Sequence, residues 1–369
     1  MLRFKAESII TFGFSFFVPS FAKTFTLNTY FTLMNYFRIS LVLIGLTLVS
    51  CSSQNEPERQ INRNSKNEKV DIIESLNTKI VAKPNDPNLY VKRAYAYRDR
   101  NMMQLAIRDA ERALAIDSTV SFFHTVLGDL QFKTGQLRDA RLSLEKAVNY
   151  DETNTDALLK LAEANFLLRR YDEAMTYTND ALRIDDKLAQ GYYLKGFIYQ
   201  ELGDTTRAKS SFQTVTEVFP DHYEAYMQLG SLAGYQGDPL AVEYFKTALE
   251  LKPKSVEAWY HLGMLYQAGG KYDEALKVYR KLIEVDPKAF LGYYNTGYIY
   301  LTEYLEYEVA LAYFDTVVSL EPSYTDAMYN RGVCFEELNK PEQAMDVYKL
   351  ILEVEPDYTP AARGLERLH

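Results

Sequence analysis

The sequence predicts an all-α solenoid of about eight helix–turn–helix repeats, each of roughly 34 residues. Three recurrences carry that reading. A small residue returns at repeat position 8: Ala94, Gly128, Ala162, Gly196, Gly230, Gly263, Gly297 and Gly332. Alanine returns at position 20, as Ala106, Ala140, Ala174, Ala208, Ala241, Ala275, Ala310 and Ala344. The last five repeats close with Pro220, Pro253, Pro287, Pro322 and Pro356. Small side chains belong where paired helices cross closely, since a larger one would overpack the contact. Proline lacks a backbone N–H, so it stops the second helix of each pair.

Bulk composition agrees. Of 369 residues, 47% are apolar and 25% charged, a globular balance. Thirty Tyr against one Trp reflects tyrosine at fixed repeat positions. Only Cys51 and Cys334 are available, so there is no disulfide framework. Four of the 41 basic residues and one of the 50 acidic ones fall in residues 1–50, which leaves 37 against 49 in the rest. An acidic surface without a basic stripe argues against nucleic acid as a partner.

Taken in order, the chain first shows an apolar run, Ile39 to Ser50, just after Arg38. Twelve residues are too few for a bilayer-crossing helix, which needs about 20, but suit the h-region of a signal peptide. The run ends in Leu48-Val49-Ser50-Cys51, which resembles the lipobox of bacterial lipoproteins. The resemblance implies that residues 1–50 are a signal peptide removed before Cys51. It also implies that Cys51 is lipidated on its thiol and that the new N-terminus is acylated. Met34-Asn-Tyr-Phe-Arg38 makes a normal n-region, so residues 1–33 are expected to derive from an upstream start codon. The alternative is a further membrane segment at Ile9–Ala22, interrupted by Pro19. Ser52 and Ser53 follow the cysteine where Asp would imply inner-membrane retention, so the resemblance points to the outer membrane. Residues 51–69 form the lipidated cysteine and a polar tether. A random coil of about 18 residues reaches roughly 25 Å.

Residues 70–86 show Ile72, Leu76 and Ile80 on one helical face and read as an N-terminal capping helix. The eight repeats span 87–120, 121–154, 155–188, 189–222, 223–255, 256–289, 290–324 and 325–358. The fifth is one residue short around Gly237-Asp238-Pro239, and the seventh one long around Glu303–Glu308. Both changes are expected at the turn between helices, where they leave the packing faces in phase. The first three repeats carry Ser118, Glu152 and Asp186 in place of the closing proline. Residues 359–369 are a C-terminal cap. With repeats over 87–358, no stretch remains for a separate catalytic domain.

The sixth repeat reads Trp259-Tyr-His-Leu262-Gly263-Met-Leu-Tyr266, then Ala275, Tyr279 and Pro287. This W-x₂-L-G-x₂-Y…A-x₃-Y…P spacing resembles the tetratricopeptide repeat. The resemblance implies a right-handed superhelix whose inner surface is lined by the first helix of each repeat. Positions 5 and 9 then face inward. In repeats 1–3 they hold Val91 and Tyr95, Thr125 and Asp129, Leu159 and Glu163. From the fourth repeat the stripe turns aromatic and Met-rich: Tyr193, Phe197, Met227, Tyr260, Met264, Tyr294, Tyr298 and Tyr329. Position 6 adds His261, Asn295 and Asn330, which could hydrogen-bond a backbone laid along the groove. Such a surface suits an extended peptide or a helix of another protein. The competing reading is that tyrosine at position 5 packs against the next repeat.

Some family members grip a C-terminal carboxylate with Lys, Asn and Arg. Here the equivalent places in repeats 6–8 hold Tyr260, Met264, Asn295, Asp326 and Asn330, which cannot do so.

Catalytic constellations are missing from the sequence. His124, His222, His261 and His369 stand apart, and His124 takes a core position. Cys334 reads as a small buried hydrophobe. Asp172-Glu173 and Asp273-Glu274 open second helices, where they complement the helix dipole. Gly269-Gly270 is a turn, since no Gly-Lys-Ser/Thr follows. The expectation is a non-catalytic lipoprotein without cofactor or metal, lipid-anchored to the membrane. It would act as scaffold or adaptor in a bacterial cell-envelope complex, similar to the outer-membrane tetratricopeptide lipoproteins. The alternative is a chaperone-like assembly factor for outer-membrane or secreted proteins.

Overall fold

A computed structural model describes residues 71–368, and every regular element among them is helical. Cys51, the signal segment and the tether lie outside the described residues. By contact the chain divides into two compact units, with the break between Lys252 and Pro253. No helix among the described residues is long and apolar enough to cross a membrane.

In the first unit, α1 (Ile72–Ala82) precedes the repeats. Asp71 caps it by accepting from the Ile73 amide at 3.0 Å. Its buried face is Ile73, Leu76 and Ile80; Ile72 points to solvent. Repeat 1 pairs α2 (Pro87–Asp99) with α3 (Met103–Ile116), and repeat 2 pairs α4 (Ser121–Lys133) with α5 (Leu137–Tyr150). Repeat 3 pairs α6 (Thr155–Leu167) with α7 (Tyr171–Ile184). Repeat 4 holds α8 (Ala189–Glu201) and α9 (Thr205–Val218), and repeat 5 holds α10 (Tyr223–Tyr235) and α11 (Leu240–Leu251).

In the second unit, repeat 6 pairs α12 (Val256–Ala268) with α13 (Tyr272–Val285). Repeat 7 runs from α14 (Phe290–Ile299) through a π-helical turn (Tyr300–Tyr304) to α15 (Tyr307–Leu320). Repeat 8 pairs α16 (Thr325–Glu337) with α17 (Pro341–Val354), and α18 (Thr359–Leu368) follows.

One joint recurs in every repeat. The turn between paired helices holds a residue with positive φ: Asn101, Gly135, Arg169, Gly203, Gly237, Gly270, Leu305 and Asn339. The next amide reaches back five residues to a carbonyl of the first helix, as from Gln136 to Gln131 at 2.9 Å and Lys271 to Tyr266 at 2.8 Å. This is the Schellman closure, which satisfies carbonyls the helix end would otherwise orphan. Repeat 7 differs: its closing bond runs six residues back, from the Glu306 amide to the Tyr300 carbonyl at 3.0 Å. The extra residue therefore sits in the last turn of the first helix, as a π-bulge, and the turn itself keeps its ordinary length. The sequence reading had put it in the turn. A π-turn takes up one residue without breaking the hydrogen-bond ladder, so the helix end absorbs the insertion.

The helix pairs lock through a size rule between positions 8 and 24. Glycine at position 8 faces a large side chain: Gly128 meets Leu144, Gly196 meets Phe212, Gly230 meets Phe245, Gly263 meets Tyr279 and Gly332 meets Tyr348. Where position 8 is alanine, in repeats 1 and 3, position 24 is the smaller Ala110 or Thr178. A Cβ at position 8 thus goes with a small partner and its absence with a large one, as close packing requires. The alanines of position 20 are at most 2% exposed.

Candidate partner-binding face

In the first unit the predicted inner residues Tyr193, Phe197 and Met227 are only 3%, 5% and 5% exposed. Tyr193 lies edge-on to Phe197 at 4.8 Å and to Phe212 at 5.5 Å, and tilts against His222 at 4.8 Å. These rings fill the space between the two helices and the next repeat, so burial removes all three from a surface that a partner could reach.

What the inner positions of repeats 2–4 do present is a closed polar network. Asp129 accepts from Lys133 and Lys160, each at 2.9 Å, and Lys160 also lies 3.7 Å from Asp156. Those cations hold the Asp129 carboxyl below its usual value against the opposing cost of burial. Glu163 is 5% exposed and accepts from Gln190 Nε2 at 2.6 Å. Burial outweighs that bond and pushes its carboxyl up to about 7.

In the second unit the inner stripe stays reachable. Tyr260, Tyr294 and Tyr329 are half-buried, Met264 likewise, and Tyr298 is 39% exposed. Asn295 and Asn330 are buried, each spending its amide sideways within the stripe. Asn330 Nδ2 donates to Tyr294 Oη at 3.1 Å, and Asn295 Nδ2 lies 3.4 Å from Met264 Sδ. Both amides tie neighbouring repeats together, so they orient the aromatic stripe. His261 sits 17% exposed beside the Tyr260 ring, with Glu257 Oε1 at 4.0 Å. Burial drives its imidazole down to about 4, which leaves it neutral at pH 7.

Two residues that sequence reasoning passed over, Tyr324 and Tyr358, complete this face. Tyr324 meets Tyr294 edge-on at 5.0 Å, and Tyr358 meets Tyr329 at 5.9 Å. Tyr358 Oη donates to Asp326 Oδ1 at 2.7 Å. A signal for the two tyrosines was present, since each closes its repeat just after the proline: Pro322 then Tyr324, Pro356 then Tyr358.

Nucleophiles and bases are packed away or scattered. Cys334 is fully buried, and burial pushes its thiol up to about 12. His124 bonds the Ser118 carbonyl at 2.9 Å and stacks on Tyr150 at 5.3 Å. The described residues contain no group of three His, Cys, Asp or Glu placed to hold a metal.

Helix pairs of near-constant length, closed by one repeated turn and locked by one size rule, define a helical-repeat protein. The chain belongs to the tetratricopeptide repeat family: profiles of that repeat match residues 125–189, 189–222, 223–255, 256–289 and 306–368. Among its relatives, Superkiller complex protein 3 of Homo sapiens is 22% identical over 294 residues, 77% of this chain. The chain spans only 19% of that protein's length. Of solved structures, the MamA protein is 27% identical, with a TM-score of 0.41, over 46% of this chain and 92% of that one. PilF of Pseudomonas aeruginosa is 17% identical, with a TM-score of 0.49, over 56% and 95%. Proteins of this repeat family generally mediate protein–protein interactions and are typically non-catalytic.

Proposed function

We propose that this protein is a non-catalytic scaffold of a bacterial cell envelope, lipid-anchored through Cys51 at the outer membrane. It binds an extended peptide or helix of a partner protein on the inner face of repeats 6–8. The observation that carries the reading is the contrast in burial between inner residues. Tyr193, Phe197 and Met227 are consumed by packing, whereas Tyr260, Tyr294, Tyr298 and Tyr329 keep reachable surface. Asn330 pins Tyr294 so that little side-chain entropy is left to lose on binding. Aromatic rings fixed in this way give large contact area per residue, the property of interface anchors.

The test is affinity capture from detergent-solubilised envelopes with mass spectrometry, comparing the parent with Tyr294→Ala/Tyr329→Ala and with Cys51→Ala. One stoichiometric partner, lost with the double variant, is the expected outcome. A broad set of outer-membrane chains would favour the chaperone-like role, and capture indifferent to the double variant would move the site elsewhere. Cys51→Ala is expected to leave the membrane fraction; if it stays, the anchor reading fails.

A further inference from the structure

The inner positions 5, 6 and 9 of repeats 6–8 contain no Lys or Arg, and His261 among them is neutral at pH 7. The charge beside this stripe that has no ion-pair partner is negative. Asp326 is half-buried beside the tyrosines, and Tyr358 Oη is its hydrogen-bond donor. Among the described residues no Lys, Arg or His forms an ion pair with it. Arg367 approaches the Tyr329 phenol, but its guanidinium is committed to Glu336, at 2.8 and 3.3 Å.

A second carboxylate lies close by. Glu355 caps the C-terminus of α17, where the helix dipole adds negative potential, and accepts from Thr325 Oγ1. Burial and Glu355 together hold the Asp326 carboxyl above its usual value, against the Tyr358 bond that lowers it. Burial raises the phenols of Tyr294, Tyr324 and Tyr358, and the Asp326 charge adds to the rise in each.

Another inner-face carboxylate of the same chain, that of Asp129, does meet cations, Lys133 and Lys160, both at 2.9 Å. Asp326 has a phenol and a second acid. A half-buried carboxylate without a cation is costly, and the faces of surrounding tyrosine rings are themselves attractive to cations. A neutral donor would answer neither.

We infer that the partner segment carries a Lys or Arg whose cation docks on Asp326, with the rings of Tyr294, Tyr324, Tyr329 and Tyr358 flanking its stem. This rests on the reading of repeats 6–8 as the binding face, and it names the chemistry of the occupant: an aromatic or aliphatic peptide with one basic anchor. A long basic side chain suits the place because its methylenes lie along rings while the head group meets the acid. Charge complementarity of this kind selects partners as much as it tightens them.

The experiment screens a positional-scanning library of acetylated, amidated decapeptides against the full chain. A selected binder is then compared with its Lys→norleucine or Arg→norleucine form. Enrichment of Lys or Arg at one position is expected, with an affinity loss of about tenfold on replacement. In Asp326→Asn that preference should vanish, because the amide oxygen still accepts from Tyr358 but the charge is gone. Should Asp326→Asn melt below the parent, Glu355→Gln at an exposed site serves instead and should weaken the preference. Peptides that need Tyr294 and Tyr329 yet show no basic preference would overturn this inference and leave the groove standing. A library in which no binder responds to Tyr294→Ala/Tyr329→Ala would overturn both.

Discussion

Gly263 lies against the ring of Tyr279 so closely that a Cβ there would stand 2.8 Å from Cδ1. Tyr279 is fully buried and donates to Gln267 Oε1 at 2.8 Å, so neither end of the ring can retreat. Gly263→Ala should therefore destabilise the protein by about 1–3 kcal/mol, the usual cost of overpacking. Gly263→Ala/Tyr279→Thr should cost less than the two single changes summed, since repeat 3 already pairs Ala162 with Thr178. Urea denaturation of the four-member cycle checks this, and strict additivity would sink the size rule.

The same ring position predicts a gain in repeat 4. Gln200 occupies the place of Gln267, but its partner position holds Phe212, and Gln200 Nε2 is buried without a hydrogen bond. Phe212→Tyr would bring a phenol oxygen within reach of that amide as an acceptor for Nε2, whereas the Tyr279 phenol donates to Gln267 Oε1. We expect stabilisation of about 1 kcal/mol, read as a higher urea midpoint. Tyr279→Phe should lose a similar amount.

The repeated turn offers another test. Six of its eight positive-φ residues are glycine or asparagine, whereas Arg169 and Leu305 hold φ of 59° and 56° with full side chains. Leu305 is 58% exposed, so its side chain contributes little packing to offset that conformation. Leu305→Gly should stabilise the protein by about 0.5–1 kcal/mol, because glycine removes the left-handed penalty. A loss of stability would mean that Leu305 packs in a way its exposure does not show.

Glu163 sets a pH dependence. Its carboxyl is pushed up to about 7 in the fold, from an ordinary 4.5. Between these values the folded chain holds a proton that the unfolded chain has released. The contribution is therefore fully present below pH about 4.5 and is lost as pH rises through 7. Glu163→Gln keeps an acceptor for Gln190 and carries no charge. Its advantage over the parent should grow from under about 1 kcal/mol at pH 5 to on the order of 3 kcal/mol at pH 9. A difference that stays flat across that range would show that Glu163 is ionised in the fold.

Much of the architecture was legible in advance. Positions 8 and 20 can be aligned by eye, and helix pairs fall within the repeats so marked. The inner stripe was legible only as a list of positions. Tyr193 and Tyr294 both stand at position 5, and nothing local separates them. Phe197 and Phe212 enclose Tyr193, whereas Tyr294 is only half-buried beside Tyr324 and beneath the Asn330 amide. The seventh repeat shows a finer limit: one extra residue was countable, but its choice of a π-turn over a longer loop was not.

The sequence by itself determined the period, the helix pairs, the phase of small and large residues, and the acidic balance. These depend on spacing within one repeat, which a chain displays directly. Only the tertiary structure decided which inner tyrosines remain reachable, and that Asp129 has two lysines while Asp326 has none. Those outcomes depend on groups far apart in the chain: Asn330 with Tyr294 is 36 residues apart, Lys160 with Asp129 is 31, and Tyr358 with Asp326 is 32. Burial and counter-charge are properties of the packed neighbourhood, and at those separations it is packing that brings the partners together.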